Sequence, residues 1–102
     1  MITSRVEYFL AVWRERSFSR AALRCGVSQP SLTNGIKSLE EDLGGRLFQR
    51  YPHFGLTDFG KRVLPLMKRM ERAAKETQLL QRRSAHLFGT QERVGKDAGA
   101  RP

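Results

Sequence analysis

A mainly α fold is predicted by three features of this 102-residue sequence. Apolar residues recur at helical spacing through most of the chain, residues suited to helix caps precede several of these stretches, and only residues 47–57 have the composition of short strands and a turn. The apolar content of 39% is enough for the core of one small domain. The sequence therefore predicts a small helical domain with a two-stranded wing, followed by one long C-terminal helix.

The chain is strongly basic, because 19 Lys and Arg residues face 10 Asp and Glu residues and leave a net charge of +9. This surplus favours an anionic partner, nucleic acid before a membrane surface. It is uneven: residues 61–85 contain eight basic and two acidic residues, whereas residues 28–60 contain three and four. One cysteine cannot form an internal disulfide, so a reducing compartment is expected. The longest apolar run, Tyr8 to Trp13, is too short to span a bilayer.

The first predicted helix begins at a capping box, Ser4-Arg5-Val6-Glu7, and runs to about Arg16. A second helix is predicted after Phe18, with Ser19 as its N-cap and with Phe18 and Leu23 as a hydrophobic staple. Gly26 ends this helix, because glycine tolerates a positive φ.

A third helix follows directly, with Ser28 as its N-cap and Pro30 in its first turn. Its apolar residues form one stripe at helical spacing: Leu32, Ile36, Leu39 and Leu43. The opposite face contains Pro30, Thr33, Asn34, Lys37 and Glu41. A short helix, a glycine turn and a longer helix with small polar residues at its start form a helix-turn-helix pattern over residues 18–37.

The predicted wing consists of a strand at 47–50, a turn at 51–55 and a returning segment at Leu56-Thr57. Arg50 and His53 would then reach an adjacent nucleic-acid backbone or minor groove, although His53 is equally well explained as a solvated loop residue. Two histidines and one cysteine without ligand spacing predict no metal site and no cofactor. Cys25 has no neighbouring His and is interpreted as a small buried residue rather than a nucleophile.

A long helix is predicted over residues 58–87, with Thr57 as its cap and Pro65 as a local disturbance. Its apolar residues alternate by four and three, which is the repeat of a coiled coil. We interpret this stripe as a dimerisation seam; a helix packed on its own domain, or less readily on a membrane surface, is the alternative. The seam residues are Phe59, Val63, Leu66, Met70, Ala73, Thr77 and Leu80. The aperiodic residues 88–102 are expected to form a disordered tail.

The segment SFSRAALRCGVSQPSLTNGIKSLEEDLGGRLFQR, residues 17–50, followed by LTDFG at 56–60, resembles the N-terminal winged helix-turn-helix domain of LysR-type transcriptional regulators. The resemblance covers residues 1–60 closely and the long helix more loosely. It implies sequence-specific binding to double-stranded DNA by a homodimer joined through the long linker helix, with the helix from Gln29 in the major groove. It also implies a bacterial cytoplasmic protein associated with the nucleoid.

Expected DNA contacts combine this resemblance with the cap and charge positions. They are Ser19, Arg20, Arg24, Ser28, Gln29, Pro30, Ser31, Thr33, Asn34, Lys37, Arg50 and His53. Asn34-Gly35 stands where Arg-Gln is frequent in the family, so base preference is not transferred. Nothing after Leu87 in this sequence is expected to form the family's small-molecule effector domain.

The sequence is also compatible with other functions. The long helix could form mixed dimers with full-length relatives and inhibit them, or the chain could be a fragment of a longer regulator without function of its own. RNA binding is compatible with the charge alone. An enzyme is not expected, because no phosphate-binding glycine loop, paired catalytic acids or Ser-His-Asp grouping is present.

Overall fold

The structure, a computed structural model, describes the backbone of residues 3–98 and the side chains of residues 3–85. The helices are α1 (Ser4–Glu15), α2 (Phe18–Cys25), α3 (Gln29–Leu43) and α4 (Asp58–Ala98), and the strands are β1 (Phe48–Gln49) and β2 (Gly55–Leu56). The chain divides into two compact units, an N-terminal unit, Ile2–Glu71, and a C-terminal unit that begins at Arg72. The predicted fold class, a mainly α winged helix-turn-helix with a long C-terminal helix, is confirmed.

Two predicted N-caps are wrong by one or two residues. Thr3, not Ser4, caps α1, and its hydroxyl oxygen accepts from the Val6 N–H at 3.4 Å. Ser17, not Ser19, caps α2, and its hydroxyl oxygen accepts from the Arg20 N–H at 3.1 Å. With the earlier start, Phe18 is the first residue of α2 and Leu23 is 81% exposed, so the predicted staple does not form.

The remaining boundaries of the helix-turn-helix follow the prediction. Ser28 caps α3 by accepting from the Ser31 N–H at 3.2 Å, and Pro30 lies in the first turn. Gly26 and Gly44 end α2 and α3 with φ angles of 70° and 85°. Both angles lie in the left-handed region, where a residue without a Cβ is favoured.

The core lies where α1, α2, α3, β1 and the start of α4 meet. Leu32, Ile36 and Leu39 are buried, which confirms three positions of the predicted α3 stripe, whereas Leu43 is 38% exposed. The other buried apolar residues are Val6, Phe9, Leu10, Ala11, Val12, Ala21, Ala22, Leu47, Phe48, Val63 and Met67. Burial of these side chains from water is the main favourable free energy for folding.

The wing is a two-stranded antiparallel sheet in which Phe48 pairs with Leu56 and Gln49 with Gly55. Phe48 packs the wing against the helices. The centroid of the Phe48 ring lies 5.4 Å from that of Phe9 and 5.9 Å from that of Phe18. Thr57 caps α4 as predicted, and its hydroxyl oxygen accepts from the Gly60 N–H at 2.9 Å.

The first part of α4 packs on its own domain. Val63 is buried in the core and Phe59 is half-buried against it, although both were assigned to the dimerisation seam. Arg14 of α1 donates two hydrogen bonds to the Glu71 carboxylate, at 2.9 and 2.7 Å, and these bonds raise the pKa of the Arg14 guanidinium. This ion pair joins the end of α1 to α4 within the N-terminal unit.

The C-terminal unit is described by itself. None of its described side chains, residues 72–85, is buried, and Leu79 and Leu80 are 57% and 63% exposed. The helix continues to Ala98, later than the predicted end at Leu87, and residues 99–102 of the predicted tail lie outside the described residues. The sequence permits this longer helix. Residues 88–98 contain no proline, and each of their two glycines lowers helix stability by only about 1 kcal/mol, while Gln, Glu, Arg, Lys and Ala in the same segment favour helix.

Candidate nucleic-acid interface

The N-terminal half of α3 has a buried side and a polar exposed side. While Leu32 and Ile36 enter the core, Gln29, Asn34 and Lys37 are exposed. Ser28, Pro30 and Ser31 are also exposed, and Thr33 is half-buried. The predicted base-reading residues are thus accessible on one helix whose other side is fixed by packing.

Ser19 links the start of α2 to the start of α3. Its hydroxyl lies 3.1 Å from Oε1 of Gln29 and donates to it. At the same end of α3, the Ser28 hydroxyl donates to the Ser31 hydroxyl at 3.0 Å. The Ser19 side chain therefore does not cap α2; it contacts the first residue of the candidate recognition helix.

α1 supports α3 from behind. Arg5 donates to the Ser38 hydroxyl at 2.8 Å and to the Asp42 carboxylate at 2.6 Å. The Tyr8 ring packs so close to Gly35 that a Cβ added there would lie 2.6 Å from Cδ2 of the tyrosine. Because real Cβ contacts are not that short, only glycine fits at this position without a shift of Tyr8 or of the helix.

The two arginines of α2 are both exposed but differ in their partners. Arg24 donates to the carboxylate of Glu15, in α1, at 3.1 Å, and this ion pair offsets part of the positive charge of Arg24. Arg20 forms no ion pair with any side chain that the structure describes. Of the two, Arg20 is the freer to meet an anion.

The wing has an exposed tip, and the arginine just before this tip contacts α2. Arg50 lies over the Phe18 ring, with its guanidinium carbon 4.9 Å from the ring centroid, a cation–π contact. His53 is exposed, and so is Tyr51, at 84%. Tyr51 is not among the predicted DNA contacts, although it is an aromatic residue directly beside the predicted wing arginine.

A small cavity separates the wing from α3. Its volume is about 140 Å³, and its lining includes Lys37 of α3, Arg46 and Arg50. Arg46 was not among the predicted DNA contacts, because the charge count of residues 28–60 gave no reason to single it out. The fold places this cation beside two that were predicted.

Cys25 is half-buried and packs against the core. Burial, with a smaller contribution from the Glu7 carboxylate, raises the pKa of its thiol. At neutral pH the side chain is thus protonated, which is the form that does not act as a nucleophile.

Among the described residues, no cluster of three His, Cys, Asp or Glu side chains has the arrangement of a metal site. No helix among them combines the length and the apolar character needed to cross a membrane.

The class that the fold and this surface define is a winged helix-turn-helix domain. Residues 3–61 match the family described as the bacterial regulatory helix-turn-helix protein, lysR family. This match covers more than half of the sequence, and the chain belongs to that family.

Similar proteins are named as transcriptional regulators. The chain is 56% identical over 45 residues to the HTH-type transcriptional regulator BudR of Klebsiella aerogenes, which is 44% of this chain and 32% of BudR. It is 44% identical over 66 residues to the HTH-type transcriptional regulator XapR of Escherichia coli (strain K12), which is 64% of this chain and 22% of XapR. The chain thus spans about a third or less of the length of these relatives.

Solved structures of DNA complexes share the fold. The BenM_DBD/catB site 1 DNA complex contains a chain with a TM-score of 0.76 and 29% identity, and the match covers 83% of this chain and 97% of that one. For the CbnR_DBD–DNA complex the TM-score is 0.72 and the identity 32%, over 83% and 99% of the two chains.

Proposed function

We propose that this chain is a transcriptional regulator that binds specific sequences of double-stranded DNA as a homodimer, with α3 in the major groove. The observation that supports this most is the division of α3. Leu32, Ile36 and Leu39 hold one side in the core, while Gln29 and Asn34 present amide groups on the exposed side. An amide side chain can pair with an adenine edge through two hydrogen bonds. The DNA in the BenM_DBD and CbnR_DBD complexes supports the same proposal.

Phosphate contacts would fix the position of α3. The free N–H groups at the starts of α2 and α3 attract anions, and Arg20, Arg24 and Arg50 add positive charge. His53 would contact the backbone or minor groove from the wing. Base edges would be read by Gln29, Ser31, Thr33 and Asn34, while Lys37 would take guanine or phosphate.

The dimer would form through α4. In the N-terminal unit Leu66 and Met70 are 52% and 45% exposed and lie four residues apart, on one side of the helix. In the C-terminal unit Ala73 and Leu80 are exposed, and the half-buried Thr77 donates its hydroxyl to the Ala73 carbonyl at 2.8 Å. Pairing with a second copy would remove these apolar side chains from water. A two-fold dimer would then read half-sites about 34 Å apart.

Selection of bound duplexes from a random pool provides the preferred site for the test. Gln29→Ala should then lose about 1–3 kcal/mol on that site and little on random DNA, because it removes base contacts and no charge. Gln78→Ala, at an exposed position of the C-terminal unit, is the matched control and should bind as the original chain does. Mobility-shift titrations measure both, and an equal loss of affinity on preferred and random DNA would refute base reading by Gln29.

Mixed dimers are the second candidate, because the exposed apolar residues of α4 could equally pair with a full-length relative. The two proposals differ in what the chain does alone. A homodimer that shifts the selected duplex without any added protein supports the regulator, whereas binding only in the presence of a relative supports the inhibitor. Either function would place the chain with bacterial DNA in the cytoplasm.

A further inference from the structure

The cavity between α3 and the wing is lined by three cations and one carboxylate. Lys37 comes from α3, Arg46 from the loop before β1 and Arg50 from the position directly after β1, and the carboxylate is Glu40 of α3. At about 140 Å³ the cavity exceeds the share of one water molecule, about 30 Å³ in the liquid, several-fold. It therefore has room for a tetrahedral oxyanion, and its side chains carry a net positive charge of two.

Two contacts arrange this charge in advance. The Phe18 ring, itself part of the lining, holds the Arg50 guanidinium by the cation–π contact at 4.9 Å. The Glu40 carboxylate accepts from the Leu47 N–H at 2.7 Å, so one of its oxygens is occupied by backbone. Among the described residues, neither Arg46 nor Arg50 forms an ion pair with Glu40, the only acid of the lining, so both guanidinium groups are available to a ligand.

The chemistry of the lining selects phosphate. A guanidinium presents several N–H donors in one plane and binds phosphate oxygens through paired hydrogen bonds, while an ammonium adds a compact charge. Thr33, also in the lining, offers a hydroxyl donor. Donors thus approach from α3 on one side and from the wing segment on the other.

We propose that this cavity is a phosphate-binding site made by Lys37, Arg46 and Arg50, with Arg46 as a ligand-contacting residue. The phosphate could be one backbone group of bound DNA or free inorganic phosphate, since both present the same oxyanion. The first possibility, a phosphate of bound DNA (the DNA source), rests on the proposed function. The second, inorganic phosphate from solution (the free source), does not. In either case one phosphate bridges α3 and the wing.

The free source is tested with inorganic phosphate and the full chain. Backbone amide resonances of residues 33–50 are followed by NMR while phosphate replaces chloride at constant ionic strength, so that screening does not change. A saturable shift is expected at the lining residues. Arg46→Gln should weaken it about tenfold, the effect of one lost charge-assisted hydrogen bond. Arg62→Gln removes the same charge at an exposed position outside the lining and should leave it unchanged.

The DNA source is tested with duplexes in which one phosphate at a time is replaced by an uncharged methylphosphonate. On unmodified DNA, Arg46→Gln should weaken binding to all sequences alike and lower the slope of log K against log salt by about 1. On the one duplex that lacks the contacted charge, the variant and the original chain should bind equally. Arg62→Gln should show no such dependence on a single phosphate.

The outcomes separate the two sources and the two proposals. Saturable phosphate binding, or loss of the Arg46 effect at one methylphosphonate, supports the site and identifies its ligand. Absence of both, with Arg46→Gln and a second variant, Arg50→Gln, folded by circular dichroism, overturns it. If the chain binds specific DNA but fails both phosphate tests, the proposed function is supported and the phosphate site is refuted. If the chain binds phosphate but shifts no specific duplex, the phosphate site is supported and the proposed function is refuted.

Discussion

The N-terminal unit and the C-terminal unit are both helical, yet they differ in what becomes of their apolar side chains. In the first, Leu32 is fully buried and α3 packs against α1 and α2. In the second, Leu79 and Leu80 remain more than half exposed. Helical periodicity is common to the two, so it does not by itself tell whether an apolar stripe is covered by its own chain. The covering element decides, and for residues 72–85 the structure describes none.

The largest expected effect on stability comes from replacing a buried leucine, and an exposed leucine provides the comparison. Leu32→Ala should destabilise the domain by about 2–5 kcal/mol, because it removes buried contacts and leaves a cavity. Leu23→Ala, at 81% exposure in α2, should change stability by no more than about 0.5 kcal/mol. Urea denaturation followed by circular dichroism gives both values. Similar losses in the two variants would show that the described core is not the stabilising one.

A charge on the exposed side of α4 tests whether a second copy covers it. Met70→Asp should weaken dimerisation about a hundredfold and leave each domain folded, because the aspartate would be buried only in the dimer. Gln78→Asp adds the same charge without removing an apolar side chain and is the control. Sedimentation equilibrium measures the dissociation constants. An unchanged dimer mass for Met70→Asp contradicts the proposed seam.

Gly60 and Gly55 test how tightly the wing and α4 fit together. A Cβ at Gly60 would collide with the Leu47 carbonyl oxygen, whereas a Cβ at Gly55 would meet nothing within 4 Å. Gly60→Ala should therefore cost about 1–3 kcal/mol despite the better helix propensity of alanine. Gly55→Ala should be close to neutral. Thermal unfolding of the two variants provides the comparison. If Gly60→Ala is as stable as the original chain, the backbone at Leu47 can shift away from α4 at little cost.

The smallest effect is expected at the ion pair between α1 and α4. Arg14→Lys keeps the charge but loses the paired hydrogen bonds to Glu71, and should cost about 0.2–1 kcal/mol because the pair is partly exposed. Arg20→Lys, where no described carboxylate is paired, should cost less. The difference should shrink in 1 M salt, which screens the ion pair. Equal values at low salt would show that this ion pair adds nothing to stability.

The local elements of the helix-turn-helix could be predicted from the sequence. Ser28 and Gly26 act on backbone groups within a few residues of themselves, so their roles as a helix cap and a helix end can be read from the local sequence. The wing followed from turn residues between two short apolar segments. The residues proposed to contact DNA are exposed, apart from the half-buried Thr33, but their contacts remain predictions.

What could not be predicted depended on packing between distant segments. Ser17 and Ser19 are equally good caps, and the choice depends on Phe18, whose ring packs on Phe48 and Phe54 from the wing. In α4, Val63 belongs to two overlapping stripes, one through Leu66 and Met70 and another through Met67. Only the position of the core shows that Met67 is buried and Met70 is not. The cationic cavity likewise depends on the wing folding back toward α3.

The contact of Tyr8 with Gly35 limits how this domain can acquire a new DNA preference. Position 35 directly follows Asn34, so an exchange of this pair for the Arg-Gln of other family members would insert a side chain against the tyrosine ring. Retargeting by residue exchange on α3 alone would then disturb the scaffold as well as the contacts. A smaller residue at position 8 would have to accompany the change, so a new DNA preference at these positions of α3 requires a matching substitution in α1.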